Sequence, residues 1–200
     1  MNSFKSIYFK LGNHFLTESE VEFIEKSLRN FPLENITIGD AGEINNCKVG
    51  RLMEDHPETY PTVVNESLSI PILELFKTSK AKEFFATFLK NNLPQTIRRS
   101  QFNLLGKGSF VGRHLDIDSN PEYQIAAVLQ LGSVFKGGEF IVYPSKDSSI
   151  EEAQIIKPEF GSITISFCKS EHEVAMVESG TRTSFVNFIS NYSGRNKRKK

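Results

Sequence analysis

The chain has 200 residues, a length at which a single domain can bury a large core without disulfide bonds or structural metal ions. Lysine and arginine together number 24, as do aspartate and glutamate, so the overall charge gives no field that would attract nucleic acid or an anionic membrane surface. No apolar stretch approaches the roughly 18 residues that a membrane-spanning helix needs.

Cysteine content and the two ends of the chain bear on where the protein works. Cys47 and Cys168 are the two cysteines, and the opening segment MNSFKSIYFKLGNHF is interrupted by charged residues, unlike a secretion signal. We therefore expect a reducing, cytoplasmic environment. Residues 195–200 read RNKRKK, which predicts a solvated basic tail, with a docking or targeting role as the alternative.

The first 65 residues are predicted to combine a strand, a helix and loops. The run SIYFKLG is typical of an edge strand, and Thr17 with Glu20 forms a capping box that predicts a helix over 17–29. Residues 30–65 are rich in Asn, Gly, Glu and Pro, which predicts loops with short strands, one of them around CKVGRLM. His14 and His56 lack neighbours at ligand spacing, so we expect both at the surface or in turns.

Two further helices are predicted before residue 95. We expect Pro71 in the first turn of one of them. Its apolar face consists of Ile72, Leu73, Leu75 and Phe76. The apolar face of the other helix consists of Phe84, Phe85, Phe88 and Leu89. The residues that close this helix are Asn91, Asn92 and Pro94. Apolar stripes at this spacing are typical of core faces, so the helices are predicted to support a sheet.

From residue 99 onward, short apolar runs alternate with glycine and proline, which is typical of an all-β sandwich or barrel. Eight strands are predicted, at 99–105, 110–116, 125–131, 139–143, 153–157, 162–167, 172–177 and 182–190. Eight strands fit a cupin-like jelly roll, also called a double-stranded β-helix. The predicted fold class is mostly β, with a double-stranded β-helix core buttressed by N-terminal α-helices.

His114 and Asp116 lie two positions apart at the end of the predicted strand 110–116. Residues i and i+2 of a strand project from the same face, so an imidazole and a carboxylate can converge on one metal ion. His172 opens a later strand-like run, HEVAMV, and supplies a second imidazole. Two imidazoles and one carboxylate, with other positions open, form the facial triad of non-haem Fe(II) oxygenases.

Arg182 and Ser184 follow His172 by ten and twelve residues, in GTRTSFVNFIS. Arginine offers a planar fork that can bind a carboxylate through two hydrogen bonds. Taken singly, a His-x-Asp pair is more often a surface pair or a helix cap, and Arg182 more often a solvated strand residue. The joint order and spacing of the five residues favour a functional site.

These residues and the segments around them resemble the Fe(II)/2-oxoglutarate-dependent dioxygenase superfamily, and within it the prolyl-4-hydroxylase-like branch. The segments span about residues 98–191 and read FNLLGKGSFVGRHLD, FKGGEF, KPEFGSITISF and EHEVAMVESGTRTSFVNFIS. The resemblance implies Fe(II), 2-oxoglutarate and O2, with ascorbate as an accessory reductant. It makes His114, Asp116 and His172 the catalytic metal ligands, and it assigns 2-oxoglutarate to Arg182 and Ser184.

Three positions refine the resemblance. Many prolyl-hydroxylase-like members carry a tyrosine nine residues before the first metal ligand, where this chain has Leu105. Asn103 matches a related bacterial branch and joins the predicted co-substrate site, so the resemblance supports the superfamily more than a prolyl substrate. Halogenases of the superfamily have a small residue where this chain has Asp116, so hydroxylation is expected instead of halogenation.

Polar side chains near the metal motif are candidates for substrate contacts. The four selected are Arg99, Gln101, Arg113 and Asp118. The alternative for each, as for Arg98 and Tyr123 nearby, is an exposed polar group of a strand or loop. If several of them face the cavity, a small polar or zwitterionic substrate such as an amino acid would fit.

The sequence predicts one catalytic domain over 1–200, with helical support at 1–97, a β core at 98–191 and the tail at 192–200. By resemblance, the protein hydroxylates an unactivated C–H bond of a small polar substrate or a peptidyl residue and converts 2-oxoglutarate to succinate and CO2. The alternative is a non-catalytic, cupin-like module that binds or senses a metal. Arg182 favours the enzyme, because a metal binder needs no carboxylate anchor.

Overall fold

A computed structural model describes residues 5–39, 41–89, 93–132 and 134–199. Within these ranges the α-helices are α1 (Glu18–Leu28), α2 (Glu66–Leu75) and α3 (Ser79–Ala86). The strands are β1 (Ile7–Phe9), β2 (Glu34–Ile38), β3 (Ile44–Glu54), β4 (Thr62–Val63), β5 (Thr96–Gly106), β6 (Val111–His114), β7 (Ile125–Leu131), β8 (Phe135–Gly137), β9 (Phe140–Val142), β10 (Gln154–Ile156), β11 (Ile163–Phe167), β12 (His172–Val174) and β13 (Val177–Ser190). None of the described helices is both long and apolar enough to cross a lipid bilayer.

The strands form two antiparallel sheets. The larger sheet follows the order β1-β11-β7-β13-β5-β3-β2, with β4 paired to β3 and β8 paired to β13. The smaller sheet follows the order β10-β9-β12-β6. Both sheets contribute side chains to one cavity between them. This arrangement is that of a jelly roll, and the predicted fold class, mostly β with a double-stranded β-helix core, is confirmed.

The two faces of the larger sheet have different partners. The register of β13 and β5 places Phe185 opposite Phe102 and Ser184 opposite Asn103. Successive residues of a strand point to opposite faces, so the two pairs lie on different sides of the sheet. The phenylalanine pair packs against the helices, whereas the polar pair lines the cavity. Alternation along the central strands therefore gives the sheet two faces: a structural face, which packs against the helices, and a functional face, which lines the cavity.

The helices cover the structural face with a core rich in phenylalanine. Phe15 contacts Phe76 and Phe85 with ring centroids 5.2 Å apart. Core side chains come from the helices and from the sheet and include Val21, Ile24, Ile72, Leu73, Phe85, Phe102, Leu129, Ile163 and Phe185. Their burial removes a large apolar area from water, which is the main favourable term in folding. The helices thus support the sheet, as predicted from their apolar stripes.

Helix α1 begins where the sequence predicts. The Thr17 side chain accepts a hydrogen bond from the backbone N–H of Glu20, whose carboxylate accepts one from the N–H of Thr17 in return. This reciprocal pair satisfies two donors that the first turn of a helix leaves without partners.

Helix α2 begins earlier than predicted. Pro71 lies in its interior instead of its first turn, because Asn65, in a left-handed conformation with φ 51°, starts the helix before Glu66. Proline lacks the N–H that an interior helical residue donates, so it is commonest in the first turn of a helix. In α2 the helix start is set by Asn65, and Pro71 does not mark it. The predicted end of the next helix at residues 91 and 92 lies outside the described residues, and α3 ends at Ala86.

The N-terminal half contains more regular structure than predicted. β2 and the eleven-residue β3 extend the larger sheet beyond β5, in a region whose composition predicts mostly loops. In the core, the strand predicted at 182–190 begins earlier, at Val177. Pairing with distant strands imposes these extensions, and such pairing is not visible in local sequence patterns.

His14 is buried, so the expectation of a surface position is wrong for it, but it lies in a bend, which agrees with the alternative of a turn. His56 is exposed. The Nε2 atom of His14 lies 2.7 Å from the carbonyl oxygen of Gly161, and its Nδ1 atom accepts a hydrogen bond from the N–H of Leu16 at 3.3 Å. Burial lowers the pKa of His14, and this outweighs the Gly161 contact, which raises the pKa. The neutral ring therefore suits this position.

The C-terminal segment is held against the core by Arg98. Its Nε and Nη2 atoms donate to the two carboxylate oxygens of Asp55, each at 2.9 Å, and its Nη1 atom donates to the carbonyls of Tyr192 and Gly194 at 2.8 Å. Asn196 is also buried and donates to the Asp55 carbonyl. The prediction of a wholly solvated tail is therefore wrong up to Asn196. Its charged side chains at 195 and 197–199 are exposed, and residue 200 lies outside the described ranges.

Candidate metal centre and co-substrate pocket

Three of the predicted ligands meet at one end of the cavity. His114 ends β6 and His172 begins β12, and the register of these two strands places the histidines opposite each other. The Oδ1 atom of Asp116 lies 3.5 Å from His114 Nε2 and 3.6 Å from His172 Nε2. The three ligand atoms all lie within 4.8 Å of one another, so they could hold one metal ion.

The position of Asp116 differs from the strand geometry that the His-x-Asp spacing suggests. β6 ends at His114, and Asp116 opens a short 3-10 helix, Asp116–Asp118. The chain turns after the strand, and this turn brings the carboxylate towards both imidazoles. The predicted residues converge, although by a turn instead of through a shared strand face.

Backbone carbonyls determine which nitrogen each histidine presents. His114 Nδ1 lies 2.8 Å from the carbonyl oxygen of Gly112, and His172 Nδ1 lies 2.9 Å from that of Ser170. A carbonyl can only accept, so each Nδ1 carries a proton, and Nε2 is the nitrogen that each ring turns towards Asp116 and can offer to a metal ion once it is deprotonated. This tautomer is the one that a metal-binding imidazole needs.

The carboxylate of Asp116 is buried and ionised. Burial raises the pKa of this carboxyl group. The positive charge of His172, a hydrogen bond from protonated His114, and the charges of His114 and Arg99 lower it by more, so the net pKa lies below the ordinary value. Its Oδ2 atom is buried without a hydrogen-bond partner among the described residues. A buried anionic oxygen without a partner costs free energy unless a cation neutralises it. The donor set therefore fits a divalent metal such as iron.

Cys168 lies beside this carboxylate and is fully buried, as its apolar run predicts. Burial raises the pKa of the thiol, and the negative charge of Asp116 raises it further. The thiol therefore stays protonated and is not a fourth anionic ligand.

Arg182 and Ser184 lie in the same cavity as the three ligands. Arg182 is 3% exposed, and its Nε atom has no hydrogen-bond partner in the part of the chain that the structure describes. Burial lowers its pKa to about 10, so the guanidinium remains charged at neutral pH. A buried cation without a carboxylate partner suits an anionic ligand, and 2-oxoglutarate offers two carboxylates.

Gly138, in the FKGGEF segment, makes room for Arg182. It has φ +68°, and a Cβ at this position would lie 2.8 Å from Arg182 Cδ. Glycine is the residue that tolerates both the left-handed backbone and the close approach. The segment thus acts on the candidate co-substrate site through packing.

Ser166 is a cavity residue that the sequence analysis missed. Its hydroxyl is buried without a hydrogen-bond partner among the described residues, and it lines the cavity together with Arg182. The alternation of ITISF on β11 could have identified it, because Ile165 lies in the core on the other face. A hydroxyl here is a further donor for an anionic ligand.

The other predicted polar residues have different surroundings. Asn103 lines the cavity, and its Oδ1 atom accepts a hydrogen bond from Gln101 Nε2 at 2.6 Å. Gln101 in turn accepts a hydrogen bond from Arg99 Nε at 2.8 Å. These three residues form a polar row along the functional face of β5. Asp118 is exposed and does not line the cavity.

Arg113 is engaged within the protein. Its Nε atom donates to Glu171 at 2.7 Å, and its terminal nitrogens donate to carbonyls of the segment 145–148. Its guanidinium also lies 3.6 Å from the centre of the Tyr143 ring. These contacts anchor a loop beside β6 and leave a substrate role for Arg113 without support. Tyr123 is likewise buried, with its ring stacked on Phe188 at 4.7 Å.

Comparison with known proteins identifies the family of the chain. A family model described as the 2OG-Fe(II) oxygenase superfamily, where 2OG is 2-oxoglutarate, matches residues 100–190. An oxidoreductase of the 2OG-Fe(II) oxygenase family from Burkholderia pseudomallei is 33% identical, with 97% of this chain and 89% of that chain covered and a TM-score of 0.89. No curated protein sequence matches the chain.

Two prolyl hydroxylases share the fold at lower identity. The Pseudomonas putida prolyl-4-hydroxylase is 16% identical, with 94% of this chain and 93% of that chain covered and a TM-score of 0.66. A Trichoplax adhaerens prolyl hydroxylase, solved with a hypoxia inducible factor peptide, is 13% identical, with 95% and 85% covered and a TM-score of 0.61. These comparisons do not favour a non-catalytic module. The chain belongs to the 2OG-Fe(II) oxygenase superfamily and is an enzyme that depends on Fe(II), 2-oxoglutarate and O2.

Proposed function

We propose that the protein hydroxylates an unactivated C–H bond, with iron held by His114, Asp116 and His172 and with 2-oxoglutarate held by Arg182. The observation that carries this proposal is one cavity that contains both a three-ligand set and a buried guanidinium without a charged partner among the described residues. When bound, iron with 2-oxoglutarate and O2 supplies the oxidising chemistry that adds one oxygen atom to the substrate and the other to succinate, with release of CO2.

The residues of the chain orient the reactants and exclude water. The Arg182 fork would bind one carboxylate of 2-oxoglutarate, with the hydroxyls of Ser184 and Ser166 as further donors. The remaining walls of the cavity are mostly apolar and include Leu105, Val128, Val174 and Val186. Apolar walls keep water from the metal and strengthen the electrostatic contacts inside.

A small polar substrate, such as an amino acid or a related metabolite, is the favoured class. It is supported by the polar row of Arg99, Gln101 and Asn103, which leads along one strand face to the cavity. A peptidyl residue is the second candidate, supported by the fold shared with the peptide-bound prolyl hydroxylase. Leu105 lines the cavity at the position where many prolyl-hydroxylase-like members carry a tyrosine, and this favours the first class.

The test is a turnover assay on the purified protein with Fe(II), 2-oxoglutarate and O2. A panel of amino acids, related metabolites and short peptides is screened for succinate release and for products heavier by one oxygen atom. We expect at least one compound to stimulate succinate release and to gain oxygen. The control variant is Arg195→Gln, at an exposed arginine outside the cavity, and it should behave like the wild type. Iron-loaded protein that releases no succinate with any class would contradict the proposal.

A further inference from the structure

Two guanidinium groups lie towards opposite ends of the functional face of the larger sheet. The register of β13 and β5 pairs Arg182 with Leu105 and Phe188 with Arg99. Leu105 and Arg99 are six residues apart on one strand, a separation of about 20 Å at the usual rise per residue. The cavity that contains the three candidate metal ligands, the metal cavity, extends along this face from Arg182 to Phe188. Arg99 therefore lies at the end away from the co-substrate anchor.

Arg99 is held in place, yet its terminal nitrogens are unused. Its Nε atom donates to Gln101, and its guanidinium lies 5.7 Å from the centre of the Phe188 ring. Among the described residues it makes no ion pair, and its Nη atoms make no hydrogen bond. The neighbouring arginines differ, because Arg51 pairs with Glu34 and Arg98 pairs with Asp55. A half-buried, oriented guanidinium with free donors is suited to an oxyanion.

A second pocket, of about 280 Å³, opens at Arg99. Its basic side chains are Arg51, His56, Arg99 and Arg198. Its two acidic side chains already have basic partners. The carboxylate of Glu54 lies 3.6 Å from Arg51 and 3.1 Å from His56. Both carboxylate oxygens of Asp55 accept hydrogen bonds from Arg98. The pocket therefore keeps an unpaired positive charge at Arg99, which an anionic ligand would neutralise.

The second pocket adjoins the metal cavity. Tyr123 lines the pocket and stacks on Phe188, which lines the cavity, so one aromatic pair separates the two spaces. Arg99 is also close enough for its charge to act on Asp116. A molecule whose charged end lies at Arg99 would have to pass this aromatic pair to reach the metal ligands.

We infer that the substrate carries an oxyanion, a carboxylate or a phosphate, which Arg99 binds in this second pocket while the carbon to be oxidised reaches the metal cavity. The inference rests on the proposed function and names the substrate class for the same site. It also gives the two guanidinium groups separate tasks: Arg182 binds the co-substrate, and Arg99 binds the substrate.

The binding test uses protein loaded with Zn²⁺ and saturated with 2-oxoglutarate, so that Arg182 is already occupied. Arginine is labelled with ¹⁵N, and the Nε–H resonance of Arg99 is assigned by its loss in Arg99→Gln. Acetate, inorganic phosphate and acetamide are titrated separately. We expect a saturable shift of the Arg99 resonance with acetate or phosphate and none with acetamide. The anion that binds more tightly distinguishes a carboxylate from a phosphate substrate.

The matched control is Arg195, whose guanidinium lies at the surface over the Tyr60 ring. A shift of the Arg195 resonance as large as that of Arg99 would indicate a general ionic effect and would overturn the inference. The inference would equally fail if neither anion shifted the Arg99 resonance, or if acetamide shifted it as much as the anions do.

The kinetic test uses any compound that stimulates succinate release. Arg99→Gln should raise the KM for an anionic substrate roughly ten- to hundredfold and leave kcat within about twofold, as expected for a lost charge-assisted contact. Arg99→Lys should restore part of the affinity, while Arg195→Gln should behave like the wild type. An unchanged KM in Arg99→Gln would overturn the inference while the oxygenase activity stands. A protein that binds acetate at Arg99 but releases no succinate would instead contradict the proposed function.

Discussion

Arg182 is a charged side chain that is buried without an ionic partner among the described residues, and this burial has an energetic cost. The cost is visible in its pKa, which falls to about 10 because burial disfavours the charged form. Proteins tolerate such a group where a ligand provides the missing charge. If Arg182 binds the co-substrate as proposed, the stability of the protein should depend on co-substrate binding.

Replacing Arg182 by methionine should stabilise the ligand-free protein. An apolar side chain of similar length removes the unpaired charge, so we expect the free energy of unfolding to rise by about 1 kcal/mol or more. In the presence of a saturating metal, addition of 2-oxoglutarate should raise the Tm of the wild type further and leave the Tm of the variant nearly unchanged. Thermal unfolding with and without these ligands provides the measurement. A variant that is less stable than the wild type and still responds to 2-oxoglutarate would show that Arg182 has a structural partner.

His14 makes stability depend on pH. The folded protein lowers its pKa below the ordinary value of 6.5, because burial disfavours the charged ring and the positive charge of Lys80 adds to this effect, while the contact with Gly161 opposes it in part. The unfolded chain binds a proton more readily, so the contribution of His14 is fully present above pH 6.5 and is lost as the pH falls towards the lower, folded pKa. Denaturant unfolding across this window should show the loss in the wild type. His14→Gln should show a smaller dependence in the same range, and equal slopes for the two proteins would count against this account.

Among the elements, the turn between β8 and β9 packs against Arg182 in the candidate co-substrate pocket. Gly138 lies in this turn with a left-handed backbone, directly against the side chain of Arg182. Gly108 has a similar φ of +82°, but a Cβ there would meet no atom within 4 Å. The two glycines therefore separate the effect of backbone strain from that of a steric clash.

Gly138→Ala should weaken 2-oxoglutarate binding, whereas Gly108→Ala should not. Both substitutions impose the cost of a left-handed alanine, about 1–2 kcal/mol of stability. Only the first displaces Arg182, so we expect its KM for 2-oxoglutarate to rise roughly tenfold, with metal affinity retained. Equal kinetic effects of the two substitutions would mean that Gly138 acts through strain alone.

The sequence predicted which side chains converge better than it predicted the backbone geometry that brings them together. Spacing identified His114 and Asp116, but not the turn that brings the carboxylate to the imidazoles. Arg98 and Arg99 are adjacent and chemically identical, yet one anchors the C-terminal segment and the other faces the second pocket. Only strand register assigns the two residues to different faces, and register depends on partners far away in sequence.

For the whole molecule, the two predicted parts of the chain share one hydrophobic core. Phe85 of α3 belongs to the same cluster as Phe102 and Phe185 of the larger sheet. We propose on this basis that residues 1–97 and 98–191 form a single catalytic domain. The β core would expose these rings to water without the helices, so the helices stabilise the sheet that carries the site.

Phe85→Ala should lower the free energy of unfolding by about 3–5 kcal/mol, because it leaves a cavity between helix and sheet. The transition should remain single when it is followed both by helical circular dichroism and by release of a bound metal. Phe23→Ala, on the exposed side of α1, is the control and should change stability little. Two separate transitions would argue for two independent units.

The proposed function requires that His114, Asp116 and His172 hold iron in the cavity where Arg182 holds 2-oxoglutarate. Anaerobic titration of 2-oxoglutarate into the Fe(II)-loaded protein tests it most directly, followed by the visible absorption of a 2-oxo acid chelated to ferrous iron. We predict saturation at one equivalent per chain in the wild type, affinity roughly ten- to hundredfold weaker in Arg182→Ala, and no absorption band in His172→Ala. A wild-type protein without the band, or a His172→Ala variant that retains it, would contradict the claim.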